Sequence, residues 1–178
     1  MGIRAETPVN IVLGAGNLTY GGVTVGATEG GSRLRIVREY FTPDLDGALA
    51  DVMGTERLIR ETATLEVTLA ELTMTLLDMA LPGAGLASDA SSEILTAALS
   101  MCIPQTDHGD VVLTVPRCAA DGTETLDIVV TLENALAEPG LEIPFTDSED
   151  SKYTVTFKAY VDASALTTPV WSIERQTA

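Results

Sequence analysis

Four stretches of this chain carry residue types that do chemistry, and each lacks a necessary part. His108 is the only histidine and sits between acids in Thr106-Asp107-His108-Gly109-Asp110. A metal site needs further ligands at set spacings, and none accompanies it. A catalytic role needs a nucleophile and an orienting group, so the segment reads as a structural turn. Asp44-Leu45-Asp46-Gly47 starts like a calcium loop. It does not continue into the twelve-residue pattern that ends in glutamate. Gly14-Ala15-Gly16 echoes half a dinucleotide fingerprint, but the third glycine is absent and a strand, not a helix, follows. Cys102 and Cys118 lie in no CxxC or other metal spacing. They read as small buried hydrophobes, and their spacing alone does not say whether they pair. No catalytic residue, metal ligand or cofactor is expected, and the chain does not read as an enzyme.

Composition narrows the classes further. The 178 residues suit one domain, long enough to bury a core without a disulfide or metal staple. Hydrophobic residues at 46% argue against disorder. Aromatic residues at 4% weaken any reading that needs stacking platforms for single-stranded nucleic acid. The net charge of −16 is uneven. Six of the ten bases lie at or before Arg60, and between Glu61 and Ser151 stand seventeen acids and one base, Arg117. Such a surface repels phosphate, which excludes DNA affinity by counterion release. The start, MGIRAETPV, has no apolar signal core. The myristoylation pattern fails at Glu6. No apolar run nears the ~20 residues of a membrane span. The expectation is a product made in a cytoplasm and not exported by the usual signal.

The elements that would position these residues are strands. Residues 10–13 read as a short strand. A hairpin of residues 17–20 and 23–26 turns at Gly21-Gly22, and Gly30-Gly31 opens a long strand over residues 32–40. In that strand Leu34 and Ile36 face one side, Arg33 and Arg35 the other. Residues 41–55 form a long loop, a length usually tied to function. Its apolar Leu45, Leu49, Val52 and Met53 either dock onto another chain or fold back on their own domain. Residues 56–69 return as a strand suited to antiparallel pairing with the first, with Arg33 or Arg35 facing Glu66. Thr68 and Glu71 fit a capping box, and Leu69, Leu72, Leu76 and Met79 then repeat at helical spacing, predicting a helix over residues 70–81. Residues 83–92 read as a loop and 92–103 as extended. Further strands are expected over residues 110–118, 126–133, 141–145, 153–161 and 170–174, with a hairpin turn at Asp121-Gly122. The sum is a mainly β fold: an antiparallel β-sandwich or partial barrel of eight or nine strands with one flanking α-helix.

A resemblance adds to this reading. The stretch GAGNLTYGGVTVGATEGG, the long strand and loop, the returning LEVTLAELT and a Leu-rich helix resemble tail tube proteins of long, non-contractile-tailed bacteriophages. Residues 103–113, residues 141–145 and the strand over 153–161 are similar too, so the likeness runs from Val9 to about Asp162. It implies one tail-tube domain over residues 1–178, with an N-terminal arm (1–9), the loop 41–55 and a C-terminal arm (163–178). It implies hexameric rings stacked into a hollow tube whose acidic, non-sticking lumen conducts DNA during ejection. Partners would be further copies, a tape measure and a tail terminator; the location would be the virion tail, assembled in a bacterial cytoplasm. Related tubes occur in contractile tails and type VI secretion. On this reading Pro43, Asp44, Leu45, Leu49, Val52 and Met53 make contacts between rings. Arg33, Arg35, Glu39, Thr64, Glu66 and Thr68 are candidates for the lumen face. The alternatives are the tube protein of a contractile or type VI secretion-like system, and a β-sandwich adhesin or carbohydrate-binding module, which needs exposed aromatic residues in a loop.

Overall fold

The computed structural model describes residues 16–25, 28–44, 46, 49–71, 73–89, 91–97, 102–116, 127–138, 140–143 and 152–175. The expected strand at 10–13, the N-terminal arm 1–9, Gly14-Ala15, the Asp121-Gly122 turn and Cys118 lie outside them. Ten strands and one α-helix are present among the described residues. They are β1 (Asn17–Tyr20), β2 (Val23–Val25), β3 (Thr28–Phe41), β4 (Arg57–Leu69), α1 (Met74–Ala80), β5 (Ala84–Ser88), β6 (Glu93–Ala97), β7 (Gly109–Val115), β8 (Ile128–Ala137), β9 (Tyr153–Lys158) and β10 (Trp171–Arg175). The fold is mainly β and antiparallel with one helix, as the alternation predicts, and it does not close into a barrel.

Eight strands form one strongly bent sheet in the order β2-β1-β7-β8-β9-β4-β3, with β10 also on β8. The bend lies in β8. Residues Ile128 to Leu132 pair with β7 and β10, and Ala135 still pairs with Gly109 of β7, whereas Leu136 and Ala137 pair with β9. Between them Asn134 takes φ +47°, a left-handed conformation that asparagine tolerates better than most residues. Its N–H donates to Asp110 Oδ1 at 2.9 Å. β8 therefore belongs to two walls, β2-β1-β7-β8-β10 and β3-β4-β9-β8.

The core fills the space between those walls. Leu18, Val25, Val111, Leu113 and Leu132 come from one wall; Ala63, Leu65, Val67, Leu69, Tyr153, Val155 and Phe157 come from the other. The Tyr20 and Phe157 rings stack across the gap at 5.2 Å. The Tyr20 hydroxyl lies 2.7 Å from the carbonyl of Asp107 and 3.2 Å from that of Ala135. Burial, then the nearby Asp107 charge, pushes the Tyr20 phenol above its ordinary 10.0. A phenol that holds its proton more tightly when folded contributes fully below pH 10, and that contribution is lost as the pH rises through the raised value. Alkaline melts of Tyr20→Phe are expected to lose less stability above pH 10 than those of the parent; identical slopes would contradict this.

Several elements differ from the sequence expectation. The strand expected at 32–40 begins at Thr28, and Gly30-Gly31 lie inside it. Both have φ above +80°, which only glycine adopts cheaply, and the register slips between Thr28 and Ser32. The helix is seven residues rather than twelve, capped by Thr73, whose Oγ1 accepts from Leu76 N at 3.2 Å. Thr68 cannot cap it because β4 continues through Leu69, which pairs with Tyr153. The Tyr153 hydroxyl then donates to Glu71 O at 2.9 Å, holding that segment out of the helix. Half of the expected loop at 83–92 is a strand, β5, which forms a hairpin with β6. Leu141 to Ile143 are not a strand; Leu141 and Ile143 pack on the core from a coil segment. Cys102 is exposed rather than buried. The segment expected as a C-terminal arm contains β10, joined to the sheet through β8.

Candidate assembly surface

β4 is supported by β9 only as far as Thr64, which pairs with Lys158, with one further bond from Ala159 N to Ala63 O at 3.0 Å. Beyond that level β3 and β4 continue as a two-stranded ribbon through Val37/Thr62, Arg38/Glu61, Glu39/Arg60, Tyr40/Leu58 and Phe41/Arg57. The ribbon adds roughly 16 Å at about 3.3 Å per residue. Ile59 is left unpaired where the register slips past Glu39. A two-stranded ribbon alone is marginally stable in water. This one carries exposed apolar residues along its length: Val37, Tyr40, Phe41, Leu58 and Ile59. Ribbon and tip together are called the arm below.

The tip holds the loop singled out by the sequence. Leu49 is 105% exposed and Met53 96%, and Val52 is exposed too, so these side chains do not fold back on their own domain. Pro43 is half-buried and Asp44 exposed; Leu45 lies outside the described residues. Thr55 closes the tip, its Oγ1 donating to Val52 O at 2.8 Å. The ribbon residues Tyr40, Phe41, Leu58 and Ile59 were not singled out in the sequence, because alternation shows which side a residue takes and not where the neighbouring strand stops.

The six candidate lumen residues share one face of the β3-β4-β9 wall. Arg33 stands opposite Glu66, Arg35 opposite Thr64 and Glu39 opposite Arg60; Thr68 stands opposite Thr154. Arg33, Arg35, Glu39 and Glu66 are exposed, Thr64 and Thr68 half-buried. Thr68 Oγ1 lies 3.3 Å from Thr154 Oγ1, and Thr64 Oγ1 donates to Arg35 O at 3.4 Å. The face is not acidic. Arg33, Arg35, Arg60 and Lys158 share it with Glu39 and Glu66; two cross-strand rows set opposite charges side by side, Arg33 with Glu66 and Arg60 with Glu39, whereas the row Arg35-Thr64-Lys158 has no acid.

His108 follows a single 3₁₀ turn (Gln105–Asp107), its N–H donating to Gln105 O at 3.2 Å. Its ring meets Tyr160 edge-on at 5.3 Å beside a cavity of about 430 Å³, and its Nδ1 is buried without a hydrogen-bond partner. Among the described residues no three His, Cys, Asp or Glu side chains cluster as a metal site would require, and no helix is long and apolar enough to cross a membrane.

No protein-family model matches the chain, and no curated protein matches it. Solved structures do. Over 98% of its length the chain resembles 99% of a chain in the sheath–tube complex of PVC, an extracellular contractile injection system, in the extended state (TM-score 0.58, 11% identity). It resembles a chain of the sheath/tube terminator of an extended PVC system over 94% of its length and 96% of that chain (TM-score 0.56, 12% identity). It also resembles the tube-terminating cap of the anti-feeding prophage over 98% of its length and 99% of that chain (TM-score 0.53, 13% identity). The chain thus has a fold shared with components of the tube assemblies of contractile injection systems.

Proposed function

We propose that this chain is the repeating subunit of a tail tube, joining copies side by side into rings that stack into a hollow conduit. The observation that carries this reading is the arm, whose Tyr40, Phe41, Leu49, Met53, Leu58 and Ile59 are exposed apolar residues that a neighbouring copy would bury. The open sheet supports it. Among the described residues β2, β3 and β10 each have one edge without a strand partner, which edge-to-edge joining with a neighbour would cover. Head-to-tail contacts of this kind close into rings or propagate as filaments.

The finer reading follows the sequence resemblance: rings of six, DNA passing through the lumen, tape-measure and terminator partners, a place in the virion tail, and a tube without a contractile sheath. If the candidate face lines the lumen, Glu66 opposite Arg33 and Glu39 opposite Arg60 lower its positive charge, while Arg35 stands opposite Thr64. The net charge of −16 per copy supplies the wider repulsion. The second reading, a tube within a contractile system, is favoured by the folds it resembles. Negative-stain microscopy of concentrated protein tests the common core of both. Rings or tubes with a central pore are expected; a monomer at every concentration, even with tail-initiating partners present, would refute it. Binding of purified sheath subunits to those tubes favours the contractile reading, and its absence the other.

A further inference from the structure

The root of the arm is tied to the opposite wall by one carboxylate. Arg38 and Glu61 face each other across β3 and β4, just past the level where β9 stops. Arg38 Nε donates to Glu61 Oε2. The other oxygen, Glu61 Oε1, accepts from Trp171 Nε1 at 2.6 Å. Trp171 opens β10, which pairs with β8 at Leu132 in the other wall. The Arg38 guanidinium also lies over the Trp171 ring, 5.7 Å from its centroid. Glu61, then the Tyr40 hydroxyl within the arm, raise the Arg38 pKa further above its ordinary value. Each carboxylate oxygen is thus committed to a different element, and the indole and guanidinium pack on each other.

We infer that Glu61 is the positioning residue of the arm: by holding Arg38 of β3 and Trp171 of β10 on its two oxygens, it fixes the direction in which the ribbon leaves the body. The geometry stands independently of the tube reading; the purpose, presenting the arm to the next copy at a set angle, rests on it. A bare two-stranded ribbon twists and bends freely. Restraining it before contact removes part of the ordering cost of docking. Two charge-assisted bonds and a cation–π contact supply that restraint at the point where lateral support ends. A surface ion pair alone would contribute little. Here the indole bond joins the pair to a second wall.

Tryptic cleavage of the soluble, unassembled full chain reads the restraint directly. Arg57 and Arg60 lie on the arm, whereas Arg33 and Arg35 lie in the part of β3 that faces the β9-supported stretch of β4. In Glu61→Ala, cleavage after Arg57 is expected to quicken on the order of tenfold, because cleavage tracks the open population; the Arg60 bond, which the substitution itself alters, is read in Trp171→Phe. Cleavage after Arg33 and Arg35 should keep the parent rate. Trp171→Phe, which removes only the indole donor, should reproduce the pattern if Glu61→Ala folds poorly, and Glu61→Asp should restore part of it. Unchanged cleavage at Arg57 and Arg60, or equal acceleration at all four sites, overturns the inference, since the cluster would then be inert or merely stabilise the whole fold. In assembly, Glu61→Ala should raise the concentration needed for tubes while the parent forms them readily. A parent that never assembles removes the purpose and not the tryptic result. A Glu61→Ala variant that assembles at the parent's concentration overturns the purpose.

Discussion

Replacing Leu49 and Met53 together by aspartate is expected to abolish ring stacking while leaving the folded subunit intact. Both side chains stand clear of their own domain at 105% and 96% exposure. Exposed substitutions of this kind change stability by about 0.5 kcal/mol or less. At a docked interface the same changes place two carboxylates in a buried apolar patch. Hot-spot losses of roughly 2 kcal/mol or more per position apply there, so together they would raise the concentration needed for assembly by on the order of a thousandfold. The tip already carries Asp44, Asp46 and Asp51, so added negative charge also increases repulsion between acidic copies. Sedimentation and microscopy across a concentration series, with a thermal melt of the unassembled subunit, measure both halves. Tubes forming at the parent's concentration would remove the arm from the assembly interface. Deleting residues 43–54 tests the same point without adding charge.

The second large effect is on stability. Phe157→Ala should destabilise the subunit by about 3–5 kcal/mol, the usual cost of truncating a buried phenylalanine. Phe157 is 2% exposed, stacks on Tyr20 and lies in register with Leu65 of β4 and Ala137 of β8. It therefore touches both walls and the strand they share. For a domain of this size the loss corresponds to roughly 6–20 °C in Tm. Urea and thermal melts of the unassembled protein are the measurement. A loss under about 1 kcal/mol would mean that the two walls do not pack on each other at this ring.

Much of the β scaffold could be read from alternation. Leu34 and Ile36 against Arg33 and Arg35, and Leu65, Val67 and Leu69 against Thr64, Glu66 and Thr68, sort onto the faces the period of two assigns. Opposite charges on adjacent strands pointed to Arg33 or Arg35 against Glu66 without choosing between them, and the register selects Arg33. The failures have local causes. Ala84-Gly85-Leu86-Ala87-Ser88 contains no β-branched or aromatic residue, so nothing in its composition marks the strand it forms. Thr68 begins a sound capping box, but a strand pairing outcompeted the helix start. The site was half legible. The tip announced itself as apolar residues in a long loop. The ribbon beneath it did not, because its exposure depends on where β9 ends. The bond from Trp171 to Glu61 spans 110 positions, a separation that no local pattern encodes.

One strand serving two walls has a consequence for how the subunit comes apart. A sandwich of separate sheets can lose one and keep the other. Here the register change at Asn134 makes β8 the inner neighbour of β7 and β10 at one end and of β9 at the other. Melting either wall strips β8 of partners on which the other wall depends. The slowest-exchanging amides of β8 should therefore open only in global unfolding, and the molecule should denature as one cooperative unit.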